Sequence, residues 1–217
     1  MKNDSYLIFD FDGTLVDSFR IVIEKFNLLS DEFNFKKINA EEIDGLRDLT
    51  SQELIKYLKI PPYKIPRVLR CARKHMQKEM HRLPTFTGLS EILEKLRSMG
   101  FTLGILSSNS SENIIAWLEL NNFQHLFNFI YGESHFFGKK YLLKKMLKSC
   151  GMNKARTFYI GDETRDIEAA KQSNVFSVAV TWGFNSEKIL LQCQPHYIIS
   201  NPEGLLKIAS DKRMLSS

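Results

Sequence analysis

The sequence lacks the features that would place the protein in a membrane or in an oxidising compartment. None of its apolar runs approaches the roughly 20 residues that a membrane-spanning helix needs. Its first residues, MKNDS, lack the apolar core of a signal peptide. The three cysteines, Cys71, Cys150 and Cys193, are odd in number and have no metal-ligand spacing. We therefore expect reduced thiols, a cytoplasmic location and no membrane partner.

The sequence also lacks a broad excess of positive charge. The chain of 217 residues has a net charge of +5, but the segment 64–82 alone holds seven lysines and arginines against one acid, a net charge of +6. One predicted helix thus carries the whole excess, which argues against a general nucleic-acid-binding protein. The segment is either a solvated helix face or a surface that attracts anionic substrates.

Short apolar segments alternate with helical patterns along most of the chain. Strands are predicted at 6–9, 101–106, 128–131, 157–160, 176–180 and 196–199. Amphipathic helices are predicted at 88–99, 111–120, 140–149, 164–173 and 202–209. Because strands that alternate with helices form βαβ units, the pattern predicts an α/β fold with a doubly wound parallel, Rossmann-like sheet.

Residues 18–83 interrupt this alternation. They contain no convincing strand, and helical patterns occur at 19–33, 50–58 and 65–82. We therefore predict an all-helical domain at 18–83, inserted into a core that residues 1–17 and 84–217 form together. The length of the chain suits one large domain with such an insert.

Two acids follow the first predicted strand, in the stretch YLIFDFDGTLVD. Asp10 and Asp12 are two positions apart, so their side chains point the same way in an extended chain. The carboxyl ends of parallel strands are where such sheets bind ligands. Two nearby carboxylates repel each other unless a proton or a cation such as Mg²⁺ offsets their charge. An Asx turn that leads into a helix cap near Asp17 is the structural alternative.

Two further strand ends carry polar side chains. The 101–106 strand is followed by Ser107, Ser108 and Asn109, and the 157–160 strand by Asp162, Glu163 and Asp166. Hydroxyl and N–H groups at a helix start can bind an anion. Each set could also be a simple helix N-cap. Capping alone is a poor explanation for acids and hydroxyls at three strand ends on one edge of a sheet.

These motifs resemble those of a known family. DFDGTLVDS, ILSSNS, a lysine after Phe-Phe-Gly and GDETRD occur in this order between residue 6 and about residue 184. They are similar to the four ordered motifs of the haloacid dehalogenase superfamily. The insert resembles the helical cap of its phosphoglycolate phosphatase-like members. The pattern DxDGT is similar to that of phosphatases and phosphomutases, whereas true haloacid dehalogenases lack the second aspartate.

The resemblance implies a role for each motif residue. Asp10 would be the nucleophile and Asp12 the acid–base group, while Ser107 and Lys139 would contact the phosphoryl oxygens; Lys140 remains an alternative to Lys139. The implied metal ligands for Mg²⁺ are Asp10, Asp12 (through its backbone carbonyl), Asp162 and Asp166. The implied substrate-binding residues are Gly13, Thr14, Arg47, Ser108 and Asn109. Arg47 could instead form a surface salt bridge.

The resemblance therefore implies a Mg²⁺-dependent phosphatase. Its substrate would be a small phosphorylated metabolite, with 2-phosphoglycolate as the first choice, and an aspartyl phosphate would form on the way. One alternative is a phosphoryl transferase similar to β-phosphoglucomutase. Another is a catalytically silent protein that binds a nucleic acid or another anionic partner through the basic segment, although the complete DxDGT motif argues against it. We expect a monomer or a homodimer.

Overall fold

The centre of the molecule is a six-stranded parallel sheet, seen in a computed structural model that describes residues 5–132 and 138–210. Its strands are Tyr6–Phe9 (β1), Thr102–Ser107 (β2), Phe129–Gly132 (β3), Thr157–Gly161 (β4), Phe176–Val180 (β5) and Tyr197–Ile199 (β6). Their spatial order is β3-β2-β1-β4-β5-β6, and all neighbouring pairs are parallel. The predicted doubly wound α/β sheet is confirmed, and β1 lies between β2 and β4.

Ten α-helices are described in the same parts of the chain. Four belong to the helical insert (residues 18–83): Phe19–Phe33 (α1), Ile43–Leu46 (α2), Ser51–Tyr57 (α3) and Ile65–Glu79 (α4). The other six connect the strands: Leu89–Ser98 (α5), Ser111–Leu120 (α6), Gly138–Ser149 (α7), Thr164–Ser173 (α8), Glu187–Gln192 (α9) and Gly204–Ala209 (α10). None of the described helices is both long enough and apolar enough to cross a membrane.

The sheet is covered on both faces, which explains why its strands read as continuous apolar runs. In β1, Leu7 and Phe9 pack into one hydrophobic cluster, whereas Ile8 packs into another with Leu106 and Tyr159. Successive side chains of a strand point to opposite faces, so every residue of β1 finds an apolar neighbour. Packing on both faces therefore holds β1 in place, and it also holds the position of the residue that follows the strand.

The helical insert has a hydrophobic cluster of its own. Its fully buried members include Leu29, Leu58 and Val68. Met76 near the end of α4 and Met80 just after it belong instead to the hydrophobic cluster of the sheet. The insert therefore packs against the sheet through the end of the basic helix α4 as well as through its loops.

Two details of the insert differ from the predicted helices. The segment between the first two predicted helices is not a plain connection, because it forms a 3₁₀ turn at Ala40–Glu42, with a capping box between Asn39 and Glu42, followed by α2. The last helix ends at Glu79 and tightens into a 3₁₀ turn at Met80–Arg82. Pro84 disfavours helical backbone at Leu83, which is extended, so the helix ends before it.

Candidate active site

Three strand ends meet at the middle of the sheet. Phe9 of β1 is in register with Ile105 of β2 and with Ile160 of β4. The N–H of the next residue, Asp10, donates to the carbonyl of Ile160 at 2.8 Å. The ends of β2 and β4 carry Ser107 and Asp162, so the parallel register brings these two residues to either side of Asp10.

A buried lysine connects two of the acids. The Nζ atom of Lys139 donates to Asp10 Oδ2 at 2.5 Å and to Asp166 Oδ1 at 2.6 Å. Gly138 begins α7 with a φ of +71°, and the helix then turns Lys139 inward and leaves Lys140 exposed. The structure thus brings Lys139, not Lys140, to the acids. The Phe-Phe pair that precedes Gly138 lies outside the described residues.

Asp162 is held by the loop that follows β1. Thr14 donates its hydroxyl proton to Asp162 Oδ1 at 2.7 Å, and the N–H of Phe184 donates to Oδ2 at 2.6 Å. Gly13 has a φ of +77°, and a Cβ atom there would lie 2.2 Å from Asp162 Oδ2, so only glycine fits. Gly13 and Thr14, predicted to bind substrate, therefore lie against the Asp162 carboxylate and fix its orientation.

Asp10, Asp162 and Asp166 form a compact cluster of carboxylates. One oxygen from each lies within 4.8 Å of the others, and Asp10 Oδ1 is buried without a hydrogen-bond partner. Burial raises the pKa of Asp10 against the opposing charge of Lys139, and it raises the pKa of Asp166 to about 6. The pKa of Asp162 is raised well above its usual value by burial and then by neighbouring acids. Such a set of hard oxygen donors suits a divalent cation.

Asp12 has different surroundings from the three clustered acids. Its Oδ2 accepts a hydrogen bond from the Asn109 amide at 3.1 Å, and its Oδ1 is buried without a partner. Burial raises the pKa of Asp12. Among the described residues, the acid cluster does not include the Asp12 carboxylate. Asp12 is therefore a carboxyl group that can carry a proton beside the nucleophile candidate.

The loop after β2 supplies hydroxyl groups next to these acids. Ser107 is buried, and its Oγ accepts the N–H of Asn109 at 3.1 Å, which leaves the hydroxyl proton to be donated elsewhere. Ser110 caps α6 by accepting the N–H of Asn113, so the cap does not use the hydroxyl groups of Ser107 and Ser108, which are predicted to bind the phosphoryl group. Ser108 lines the cleft described below.

Two residues of this site were not identified from the sequence. Tyr159 in β4 donates its hydroxyl proton to Asp166 Oδ1 at 3.0 Å, and burial raises the pKa of the phenol well above its usual value. Arg165 forms an ion pair with Glu163. Arg165 lies inside the GDETRD motif and could have been found there. Tyr159 gave no such signal, because an aromatic residue in a buried strand does not show that its hydroxyl group contacts an acid.

A half-enclosed cleft of about 260 Å³ lies between the helical insert and the strand ends. Asp12, Ser108 and Asn109 line it, together with apolar side chains of the insert. Arg73 also lines the cleft, and it is the member of the basic 64–82 segment that the structure brings to the site. Arg70, Lys74 and Lys78 are exposed on the same helix, as expected for a solvated face.

Arg47 lies where the insert meets the loop after β5. Its guanidinium donates to the carbonyl oxygens of Thr181 at 3.1 Å and Gly183 at 2.8 Å, and it lies over the ring of Phe19. The amide of Asn185 in turn donates to the Leu49 carbonyl at 2.9 Å. Arg47 therefore fastens the insert to the loop after β5, through backbone carbonyls and not through the carboxylate of a surface salt bridge, and its contact with substrate stays a prediction.

Replacing Arg47 by alanine should destabilise the protein. The change leaves two carbonyl groups without their charged donor; an unsatisfied buried acceptor costs about 1–3 kcal/mol, and water can replace part of the donor at this half-buried position. We expect the free energy of unfolding to fall by about 1–3 kcal/mol in a urea titration. The exposed Arg70 provides the control, because Arg70→Ala should change it by less than about 0.5 kcal/mol. Equal stability of the two variants would contradict the fastening role.

Comparison with known proteins agrees with this architecture. The sequence profile of the family described as haloacid dehalogenase-like hydrolase matches residues 7–180. A phosphoglycolate phosphatase from Synechococcus elongatus is 35% identical over 201 residues, which cover 93% of this chain and 95% of that protein. The pyrophosphatase PpaX from Oceanobacillus iheyensis is 26% identical, with 94% and 96% covered.

A solved structure gives the same result. A haloacid dehalogenase-like hydrolase family protein from Streptococcus pneumoniae superposes with a TM-score of 0.80 at 25% identity, covering 96% of this chain and 99% of that one. The match thus includes the helical insert as well as the sheet. Together with the family profile and the acids at the strand ends, it shows that this chain belongs to the haloacid dehalogenase-like hydrolase family.

Proposed function

We propose that this protein is a Mg²⁺-dependent phosphatase that hydrolyses small phosphomonoesters through an aspartyl phosphate. The observation that carries the proposal is the state of Asp10. One of its oxygens is bound by Lys139, while the other is buried without a partner, and the residue lies in a cluster with two further acids. A carboxylate held in this way can attack phosphorus and so divide one difficult displacement into two easier ones.

Asp12 is suited to the proton transfers of both steps. As an Asp10 oxygen bonds to phosphorus, the ester P–O bond breaks and the leaving oxygen takes the proton from Asp12. Water then attacks the same phosphorus, gives a proton back to Asp12 and releases inorganic phosphate and free Asp10. Burial raises the pKa of Asp12, which favours the protonated form that the first step needs, and such acid–base help contributes about 10²–10⁴-fold in rate.

Lys139 and Ser107 are suited to hold the phosphoryl group. Lys139 brings a buried positive charge beside Asp10, where negative charge gathers on the phosphoryl oxygens. Ser107 offers its hydroxyl proton from the end of β2. Asp166 and Tyr159 keep the lysine in place, the first by direct contact and the second through Asp166.

The donor set fits a magnesium ion. Asp10, Asp162 and Asp166 offer carboxylate oxygens within 4.8 Å of one another, and the orphaned Asp10 Oδ1 is a ligand atom in need of a partner. Mg²⁺ prefers such hard donors, and when bound it would polarise a phosphoryl oxygen. Thr14 and Phe184 hold Asp162 ready for this role.

We further propose that residues 18–83 act as a cap over a catalytic core of residues 1–17 and 84–217. The separate hydrophobic cluster of the insert and the cleft beneath it support this division. The first substrate to test is 2-phosphoglycolate, because the relative at 35% identity is named for it. Pyrophosphate is the second substrate to test, because the relative at 26% identity is named a pyrophosphatase. A transferase similar to β-phosphoglucomutase would pass the phosphoryl group to a sugar instead of water.

Purified protein should release inorganic phosphate from 2-phosphoglycolate when Mg²⁺ is present. Removal of the metal by EDTA should abolish the activity, since the proposed ligands are carboxylates that need a cation to attack and hold a phosphoryl group, and added Mg²⁺ should restore it. Addition of a sugar phosphate acceptor tests the transferase alternative, because water remains the only acceptor if the proposal is right. Full activity after exhaustive chelation would contradict the metal site.

A further inference from the structure

The cleft is larger and more apolar than a small hydrophilic leaving group needs. A cavity of roughly 150 Å³ lined by Leu, Ile and Phe side chains can hold a benzene molecule. The cleft of this protein is about 260 Å³ in volume. Its walls from the insert include Phe26, Leu54, Ile55, Leu69, Ala72 and Met76. Glycolate or phosphate would leave much of this apolar surface without a partner.

The apolar part is continuous with the catalytic groups. Asp12, Ser108 and Asn109 line the same cleft as the apolar residues of α1, α3 and α4. If Asp12 protonates the leaving oxygen, the rest of the leaving group begins next to Asp12. A leaving group that extends from there along the cleft lies against the apolar wall of the insert.

The charged groups in the cleft do not demand a charged leaving group. Lys25 forms ion pairs with Glu79 at 2.6 Å and with Glu24 at 3.0 Å. Glu163 is paired with Arg165. A second cavity of about 330 Å³ shares Arg73, Arg165 and Ser108 with the cleft and is also lined by Lys139, so the two arginines lie where the cleft meets the end of the site that holds Lys139.

We propose that the enzyme hydrolyses phosphate monoesters whose leaving group is apolar and about the size of one six-membered ring. This inference rests on the proposed phosphatase function and specifies its substrate class. The chemistry is unchanged: the phosphoryl group passes from the ester oxygen to Asp10 and then to water, and the apolar alcohol leaves with the proton of Asp12. The insert contributes binding of the alcohol, which supports turnover through contacts remote from phosphorus.

A series of n-alkyl phosphates tests this, because ethyl, butyl and hexyl phosphate present the same chemistry at phosphorus. We expect kcat/KM to rise about fourfold for each added methylene until the cleft is full, as follows from the free energy of burying one methylene. Benzyl phosphate should match the hexyl ester. A flat or falling series in an enzyme that turns over 2-phosphoglycolate would overturn the inference and leave the proposed function intact. If no ester is hydrolysed, both proposals fail.

Variants of α4 show whether the cleft is responsible. Ala72→Leu places a larger side chain in the cleft. It should lower the ratio of kcat/KM for hexyl phosphate to kcat/KM for ethyl phosphate about tenfold or more. Leu69→Gln should lower the same ratio, because it makes the cleft wall more polar. Leu69 is only half-buried, so this change does not disturb the packing of the core. Gln77→Leu is the matched control, since it adds an apolar side chain at an exposed position of the same helix and should leave the ratio unchanged. Unchanged ratios in the two cleft variants would overturn the inference.

Discussion

Replacement of Asp10 by asparagine is expected to lower kcat by at least about 10⁴-fold, the scale seen when an enzyme loses its nucleophile. The amide has nearly the shape of the carboxylate, but its nitrogen and oxygen are far weaker nucleophiles toward phosphorus. The remaining contacts keep the site together, because Lys139 still has Asp166 as a partner and Asp162 still has Thr14 and Phe184. Steady-state phosphate release on 2-phosphoglycolate or hexyl phosphate measures the effect.

Asp17→Asn is the matched control for this variant. Asp17 follows in the same segment, is exposed, and shares the change from carboxylate to amide. It should keep wild-type activity within about twofold, as is usual for surface positions. Circular dichroism of both variants shows whether the fold is retained. A folded Asp10→Asn protein with Mg²⁺-dependent turnover close to wild type would contradict the covalent mechanism.

The sequence predicted those features that depend on local pattern. The continuous apolar runs of β1, β2 and β4 predicted strands that are buried on both faces, and parallel strands must end on one edge. The convergence of Asp10, Ser107 and Asp162 follows from these two facts, and the register of the sheet confirms it. Local reasoning succeeds here because the sheet geometry is the same in every parallel α/β protein.

The choice between Lys139 and Lys140 needed the three-dimensional structure. The two lysines are neighbours, so composition and helical period treat them almost alike. α7 begins at Gly138, which has left-handed backbone, and the face that the helix turns toward the sheet buries Lys139 and leaves Lys140 exposed. A turn of this kind is not visible in a pattern of apolar residues.

Arg47 and the apolar cleft could not be predicted for a related reason. The partners of Arg47 are carbonyl groups more than 130 residues away in sequence, and any residue type at those positions offers the same carbonyl. Leu54, Leu69 and Met76 follow an ordinary amphipathic pattern, which does not distinguish a residue that fills a core from one that lines a cavity. Only the packing of the insert against the sheet separates these cases.

The electrostatics of the site explain why one buried lysine matters so much. Asp10, Asp162 and Asp166 are buried together, and burial raises the pKa of each. Lys139 is the cation that directly contacts two of them, and its side chain is only 4% exposed. Its charge lowers the pKa of Asp10 and Asp166 and so keeps them closer to the ionised form that attack and metal binding require.

Replacing Lys139 by methionine should therefore impair both activity and stability. Loss of one group that stabilises transition-state charge lowers kcat by about 10²–10³-fold. Removal of one partner of a buried ion pair costs about 3–5 kcal/mol, since it leaves the other charge unpaired. Lys140→Met is the matched control at the next, exposed position and should change neither quantity noticeably.

The stability loss of Lys139→Met should depend on pH in a direction that the acids determine. In the wild type, the pKa of Asp166 is about 6, compared with 3.8 without the influence of the fold, so the folded state binds more protons than the unfolded state between these values. Its contribution to stability is greatest at acidic pH and is lost as the pH rises to about 6. Without the lysine the pKa of Asp10 and Asp166 rises further, which extends this loss above pH 6.

Metal-free Lys139→Met protein should consequently lose more thermal stability between pH 6 and pH 8 than the wild type or Lys140→Met loses. Excess Mg²⁺ should raise its melting temperature more than that of the wild type, because the ion supplies positive charge to carboxylates that have lost their lysine. Differential scanning calorimetry at pH 5, 6, 7 and 8, with EDTA or with Mg²⁺, measures both effects. Parallel curves for the Lys139 and Lys140 variants would show that Lys139 does not hold the acid cluster together, and the roles proposed for the whole cluster would then need revision.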